Sequence, residues 1–197
     1  MQGTVASFTM RQGSHSNLEA GDMTISDKFH DELPDELLVQ PGWKLLLSHP
    51  AHFVSFGFGS GLARNAPGTF GTLAALPLYW LVAPLMSDQQ FLLAWALAFA
   101  LGVWVCDFTG KKLGVADYGG IVWDEIVSFM LVLFFTPSGW YWTMLAFVLF
   151  RFFDILKPPP IRYFDSNWHG GMGVMFDDLL AAGYALMCLA LAKSALI

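Results

Sequence analysis

The sequence predicts an all-α fold: a small polytopic membrane helix bundle of about four to five spans with a Gly-rich interfacial or re-entrant segment. Of the 197 residues, 55% are hydrophobic and 13% are charged, and the mean hydropathy is +0.52. Soluble domains carry charge on about a quarter of their residues. The apolar residues also gather in stretches of about 15 to 20, close to the length that a helix needs to cross a bilayer. Soluble enzymes, disordered proteins and disulfide scaffolds are therefore excluded as first interpretations.

The N-terminal part differs from the remainder of the chain. The net charge is −6, and the segment up to Gln40 is rich in Ser, Asp and Glu. It contains no basic stretch followed by an apolar one, so it does not resemble a signal peptide. We expect residues 1–42 to form a disordered acidic extension and residues 43–197 to form the membrane domain. No basic surface elsewhere suggests a nucleic-acid partner. The sequence does not identify a protein partner.

Five apolar stretches are the candidate spans. They cover residues 69–86, 91–106, 121–135, 140–156 and 179–197. Lysine and arginine fall before the first span and in alternate connections: Lys44, Arg64, Lys111, Lys112, Lys157 and Arg162. The positive-inside rule then places the N-terminus and these connections in the cytoplasm.

Carboxylates gather at the same, cytoplasmic ends of the predicted spans. They are Asp107, Asp117, Asp124, Glu125, Asp154, Asp165, Asp177 and Asp178. Acids at this depth cost several kcal/mol unless they are paired, hydrated or bound to metal. Oxygen-only ligands select a hard divalent ion, so the sequence predicts a Mg²⁺ site. Two simpler explanations stay open: single acids could be solvated helix ends, and Arg151 could pair with Asp154 three residues later.

Two further segments suggest phosphate chemistry. The glycine-rich stretch Gly57–Thr72 offers backbone N–H groups and hydroxyls at the predicted start of a span, where anions are favoured. It has no Gly-Lys-Ser/Thr of a P-loop, and close helix packing through small residues is the alternative. The second segment begins with Lys157 and Arg162, which could meet phosphate. It continues to His169, which could act as an acid, a base or a ligand or could be structural.

Six motifs occur in order from about Trp43 to Ala190. They are Gly57-Phe58-Gly59-Ser60-Gly61-Leu62 with Pro67-Gly68-Thr69; Ile121-Val122-Trp123-Asp124-Glu125; Arg151-Phe152-Phe153-Asp154; Lys157-Pro158 with Pro160-Ile161-Arg162; Phe164-Asp165; and His169-Gly170-Gly171-Met172-Gly173 leading to Asp177-Asp178. In these motifs the chain resembles the phosphatidylglycerophosphatase A family of bacterial membrane lipid phosphatases. Residues 1–40 lie outside the family pattern.

The resemblance implies Mg²⁺-dependent hydrolysis of the terminal phosphomonoester of phosphatidylglycerophosphate, which yields phosphatidylglycerol in phospholipid biosynthesis. It also implies a location in the bacterial inner membrane, with the active site at the cytoplasmic face. The candidate catalytic residues are Asp124, Glu125, Asp177, Asp178 and His169. The candidate metal ligands are Asp124, Glu125, Asp154, Asp165, Asp177 and Asp178. The candidate substrate contacts are Gly59, Ser60, Thr69, Arg151, Lys157 and Arg162.

Two other functions fit the sequence less well. A CDP-alcohol-type phospholipid transferase also gathers aspartates and a divalent metal at this membrane face, but its Asp-x2-Asp-Gly-x2-Ala-Arg pattern is missing. A small cation transporter would use intramembrane acids to pass ions. That function predicts acids spread through the depth of the bilayer, whereas these acids cluster at one end.

Overall fold

Eight α-helices make up most of the computed structural model, which describes residues 41–115, 117–168 and 170–195. They are α1 (Trp43–Leu46), α2 (Pro50–Ser55), α3 (Pro67–Val82), α4 (Asp88–Leu113), α5 (Trp123–Phe135), α6 (Trp140–Leu156), α7 (Ile161–Asn167) and α8 (Gly171–Ala195). Short 3-10 helices cover Gly57–Leu62 and Ala83–Leu85. The described residues contain no β-strand, which confirms the all-α prediction. The predicted extension lies outside the described residues except for Pro41 and Gly42.

Each of the five apolar stretches coincides with a helix, but the helices differ in length. Three are long and apolar enough to cross a membrane: Pro67–Leu85, Asp88–Leu113 and Gly171–Ala195. Helix α5 has 13 residues and is therefore about 20 Å long, shorter than the ~30 Å hydrocarbon core. Helix α6 has 17 residues. The chain is thus a helical membrane protein with three candidate spans and two shorter helices packed among them.

Two helix boundaries differ from the sequence prediction. Helix α4 continues past residue 106 to Leu113 and ends at Gly114, which adopts the left-handed conformation. Helix α8 begins at Gly171 rather than near residue 179. Glycine suits positions 171 and 173, because a β-carbon there would collide with the backbone oxygen of Val103 or Trp168. Asp177 and Asp178 consequently lie about two turns inside a helix and not at its start.

Helix α5 lies at the centre of the bundle and packs against α3, α4 and α8, while α8 also packs against α6. Phe129 of α5 and Phe150 of α6 fill the core between these helices. Three alanines of α8 are fully buried there: Ala181, Ala182 and Ala185. Small side chains let helices approach closely in a membrane, so this contact fixes the distance between α8 and its neighbours.

Two tryptophans join α4 to α5 by reciprocal hydrogen bonds. Trp95 of α4 donates its indole N–H to the carbonyl of Val127 at 2.9 Å, and Trp123 of α5 donates to the carbonyl of Ala98 at 3.1 Å. Where water is absent, an unpaired indole N–H is costly, so these bonds favour one register between the two helices. They hold the beginning of α5, where Asp124 and Glu125 lie.

Replacing either tryptophan by phenylalanine removes one bond and keeps most of the ring. We expect Trp95→Phe and Trp123→Phe each to lower stability by about 1 kcal/mol, measured as a lower unfolding midpoint of the detergent-solubilised protein. Trp140→Phe is the matched control because Trp140 is 82% exposed. Equal midpoints for the three variants would contradict a stabilising role for the two bonds.

Candidate active site

Three carboxylates from two helices meet inside the bundle. Asp124 and Glu125 lie in the first turn of α5, and Asp178 projects from α8, which packs against α5. One carboxylate oxygen of each residue lies within 4.8 Å of those of the other two. Asp124 and Asp178 are buried, and the Glu125 side chain is only 12% exposed. We call these three residues the carboxylate cluster.

Each member of the carboxylate cluster has one buried oxygen that lacks a hydrogen-bond partner among the described residues. The atoms are Asp124 Oδ1, Glu125 Oε2 and Asp178 Oδ2. Buried carboxylates are very costly without a compensating charge or hydrogen bond. Oxygen donors at this spacing suit a hard divalent cation such as Mg²⁺, which prefers carboxylate ligands. The residues present therefore fit such an ion.

Arg151 of α6 is the basic side chain beside the cluster. Its Nη1 lies 2.5 Å from Asp154 Oδ2, 3.6 Å from Glu125 Oε1 and 3.4 Å from the Thr72 hydroxyl. The pairing with Asp154 that the sequence allowed is therefore present, and Arg151 reaches the cluster as well. Asp154 and Glu125 contact the guanidinium, and Asp124 and Asp178 lie beside Glu125 in the cluster, which leaves an excess of negative charge when all four are ionised.

Asp177 and Asp165 interact with a different cation. Lys157 Nζ lies 2.6 Å from Asp165 Oδ1 and 2.5 Å from Asp177 Oδ2. Asp177 also accepts the backbone N–H of Asp178 at 3.0 Å. Burial alone would lower the pKa of Lys157, but Asp177 and Asp165 outweigh it and raise that pKa above its usual value. The structure therefore brings Lys157, a predicted phosphate contact, together with two predicted metal ligands as an ion-paired group.

The glycine-rich segment divides into two parts by its contacts. Gly57 and Gly71 face Val122, and a β-carbon on either would lie 2.7 Å from the Val122 side chain. Gly61 packs against Gly120 and Val122 in the same way. The alternative explanation of close packing therefore applies to these three glycines. Gly68 instead faces the carboxylate cluster: a β-carbon there would collide with Glu125 Oε1 and lie 3.1 Å from both terminal nitrogens of Arg151.

The other predicted substrate contacts are more dispersed. Gly59 packs against the ring of Trp43, and Ser60 donates its hydroxyl to the carbonyl of Gly57 at 2.8 Å. Thr69 lies in the first turn of α3, where its N–H bonds to the carbonyl of Ala66. Arg162 is exposed on α7. His169 lies outside the described residues.

Sequence reasoning did not select two residues at this site. Gly68 was part of a motif, but its contact with Glu125 depends on how α3 packs against α5. Thr72 donates its hydroxyl to the carbonyl of Gly68 at 2.9 Å and accepts from Arg151. The sequence signals for Thr72 are its hydroxyl at the end of the glycine-rich stretch and its position four residues after Gly68, which places both on one face of α3.

Comparison with known proteins identifies the family. The family model for phosphatidylglycerophosphatase A matches residues 53–193. The chain belongs to the phosphatidylglycerophosphatase A family. Phosphatidylglycerophosphatase A of Haemophilus influenzae is 50% identical over 145 residues, which cover 73% of this chain and 89% of the relative. The Escherichia coli protein of the same name is 45% identical over 139 residues, or 70% of this chain and 80% of the relative.

A third relative carries a different name. A Bacteroides thetaiotaomicron protein, provisionally named a phosphatidylinositol-3-phosphatase, is 37% identical over 150 residues, covering 71% of this chain and 91% of the relative. No solved structure matches the chain. The named relatives thus come from bacteria, and their names describe phosphatases that act on phosphorylated lipids.

The unpaired carboxylates lead to a prediction about stability. In chelator at pH 8, we expect Asp178→Asn to raise the unfolding midpoint by roughly 2–6 °C, because it removes one of several mutually repelling buried charges. Asp165→Asn is the control and should change the midpoint in the opposite direction. Asp165 is paired with Lys157, so removal of its charge is expected to lower the unfolding midpoint. An Asp178→Asn protein that unfolds earlier than the wild type would contradict the repulsion.

Proposed function

We propose that the protein hydrolyses the terminal phosphomonoester of phosphatidylglycerophosphate to phosphatidylglycerol and inorganic phosphate, using Mg²⁺ held by Asp124, Glu125 and Asp178. The names of the relatives that are 50% and 45% identical support the substrate. The structural observation that carries the proposal is the cluster of three buried carboxylates with unpartnered oxygens beside Arg151. The divalent ion would neutralise phosphate oxygens and make a bound water more acidic.

The residues around the cluster can bind the phosphate. Arg151 presents a guanidinium that suits phosphate oxygens, and Asp154 and Thr72 hold its orientation. Helix α3 starts at Pro67 with no side-chain cap on its first turn. Gly68 brings this turn against Arg151, so the helix dipole also favours an anion there.

The reaction consumes one water molecule and needs two proton transfers. The water oxygen attacks phosphorus while the bond from phosphorus to the glycerol oxygen breaks. The carboxylate that accepts a proton from the water can return it to the glycerol oxygen, which leaves as a hydroxyl group. Asp124, Glu125 and Asp178 are the candidates to accept the proton of the attacking water, because each has an oxygen that lacks a hydrogen-bond partner among the described residues. Arg151 stabilises the negative charge on the phosphate oxygens during transfer.

The positions of the charged residues support a cytoplasmic active site in the inner membrane. Asp124 and Glu125 begin α5, whose preceding connection follows Lys111 and Lys112 in the last turn of α4. Asp154 lies in the last turn of α6, and Lys157 directly follows that helix. Lysine and arginine favour cytoplasmic loops. The lipid headgroup would then meet the cluster at the membrane surface, and its acyl chains would remain in the bilayer.

The proposal is tested by phosphate release from purified, detergent-solubilised protein. The substrates are phosphatidylglycerophosphate, phosphatidic acid and phosphatidylinositol 3-phosphate, the last because of the Bacteroides relative's name. We expect release from phosphatidylglycerophosphate with Mg²⁺ and none with chelator. Asp124→Asn and Asp178→Asn should each lower turnover at least about a hundredfold.

Asp88→Asn is the matched control, because Asp88 is exposed in the first turn of α4 and lies at the other end of that helix from Asp107 and Thr109. Its activity should equal that of the wild type. Full activity in both cluster variants would reject the metal assignment. Release only from phosphatidylinositol 3-phosphate would reject the substrate.

Gly68 provides a second test of the same site. A methyl group at this position displaces either Glu125 or Arg151, and displacements near 1 Å cost about a hundredfold in rate. We therefore expect Gly68→Ala to lose at least that much phosphate release while remaining folded. Gly183→Ala on α8 is the control, because among the described residues no atom beyond the adjoining backbone of its own helix lies within 4 Å of the added carbon. Wild-type activity in Gly68→Ala would remove Gly68 from the site.

A further inference from the structure

A buried polar chain joins α2 to α4 outside the carboxylate cluster. The hydroxyl of Ser55 lies 2.8 Å from that of Thr109, which in turn lies 3.0 Å from Nδ1 of His52. Ser55 and Thr109 are fully buried, and His52 is 2% exposed. Polar groups are costly in an apolar interior unless all are hydrogen-bonded, so this series of hydrogen bonds fixes α2 against α4 in one arrangement.

The direction of the hydrogen bonds follows from the charge state of His52. Burial, together with His49 and Lys112, lowers the pKa of His52, so the ring is neutral near pH 7. With its proton on Nε2, the ring accepts at Nδ1 from Thr109. The Ser55 hydroxyl has two acceptors within reach, Thr109 Oγ1 at 2.8 Å and the His52 carbonyl at 3.1 Å, and the shorter contact is the one to Thr109. The Thr109 hydroxyl is thus the central member of the chain, since it both donates and accepts.

A backbone hydrogen bond continues this chain towards the carboxylate cluster. The carbonyl of Ser55 accepts the N–H of Val122 at 2.9 Å. Val122 is the residue before α5, and no side chain caps the helix there. The first turn of α5 carries Asp124 and Glu125. Its start is therefore anchored from outside the helix, by α2, which the polar chain holds against α4.

We propose that Thr109 is a positioning residue for the carboxylate cluster: through Ser55 and Val122 it fixes Asp124 and Glu125 relative to Asp178. This inference rests on the proposed function in one respect, namely that the cluster binds a divalent cation. Ligands must be held within about 0.5 Å to bind well. Loss of a partner behind the ligands typically weakens metal affinity 10- to 100-fold.

The test compares Thr109 variants of the full-length protein in detergent, without lipid substrate. Thr109→Val keeps the side-chain shape and removes the hydroxyl, whereas Thr109→Ser keeps the hydroxyl. Thr136→Val is the matched control, because within the described part of the chain the Thr136 hydroxyl bonds to the carbonyl of Val132, in its own turn at the far end of α5. Two quantities are measured: the Mg²⁺ dissociation constant, from Mg²⁺-dependent thermal stabilisation, and amide hydrogen exchange in peptides covering α2 and residues 121–128.

We expect Thr109→Val to weaken Mg²⁺ binding about tenfold and to speed amide exchange at the start of α5. Thr109→Ser should remain within about twofold of the wild type, and Thr136→Val should be unchanged. Thr109→Cys, whose thiol is a weak donor, should fall between Ser and Val, and it serves as the test if the valine variant does not fold.

One result would overturn the inference: Thr109→Val unfolds at a lower temperature but keeps wild-type Mg²⁺ affinity, with faster exchange confined to α2. Thr109 would then only tether α2. Failure of the proposed function is distinguishable, because wild-type protein would show no Mg²⁺-dependent stabilisation or phosphate release. In that case, amide hydrogen exchange alone decides whether Thr109 positions the start of α5. Faster exchange at residues 121–128 in the valine but not the serine variant supports positioning, and unchanged exchange there rejects it.

Discussion

Repulsion among buried carboxylates is the constraint on which the rest of this structure depends. Asp124, Glu125 and Asp178 come from two helices, and their oxygens lie within 4.8 Å of one another. Such a cluster opposes the packing of α5 against α8, so contacts elsewhere must hold these helices together. The core around Phe129 and the buried alanines of α8 makes those contacts. Local destabilisation at a functional site, offset by the surrounding fold, is a common compromise between stability and activity.

The two cations on and after α6 divide the acids into two groups. Arg151 joins Asp154 to the carboxylate cluster, while Lys157 holds Asp165 and Asp177. Asp177 and Asp178 are neighbours in sequence, but successive side chains on a helix point about 100° apart. One therefore faces α5 and the other faces Lys157. Ion pairing keeps Asp177 engaged with Lys157, and its bond to the Asp178 N–H links the two groups.

The sequence predicted the helices and the end of the bundle where the acids gather, because apolar length and flanking charge are local properties. It did not predict how the acids divide, since that depends on helix rotation within the packed bundle. The start of α8 was placed too late because the candidate span was taken from the apolar stretch that follows Asp177 and Asp178. Gly171 and Gly173 permit close contact with neighbouring backbone. Thr109 carried no sequence signal, because its partners Ser55 and His52 lie more than 50 residues away.

The glycine-rich segment shows that a sequence pattern typical of phosphate binding can be interpreted only with the three-dimensional contacts of its residues. Val122 packs closely against three glycines of this segment, Gly57, Gly61 and Gly71. Most of the segment is therefore a packing surface for the start of α5. Only Gly68 faces Glu125 and Arg151. Packing and chemistry are nevertheless coupled, because Val122 lies two residues before Asp124. Close packing of the glycine-rich backbone against Val122 therefore also fixes the position of Asp124 and Glu125, which follow Val122 in the sequence. The glycines therefore act on the site mainly through the helix that carries its ligands.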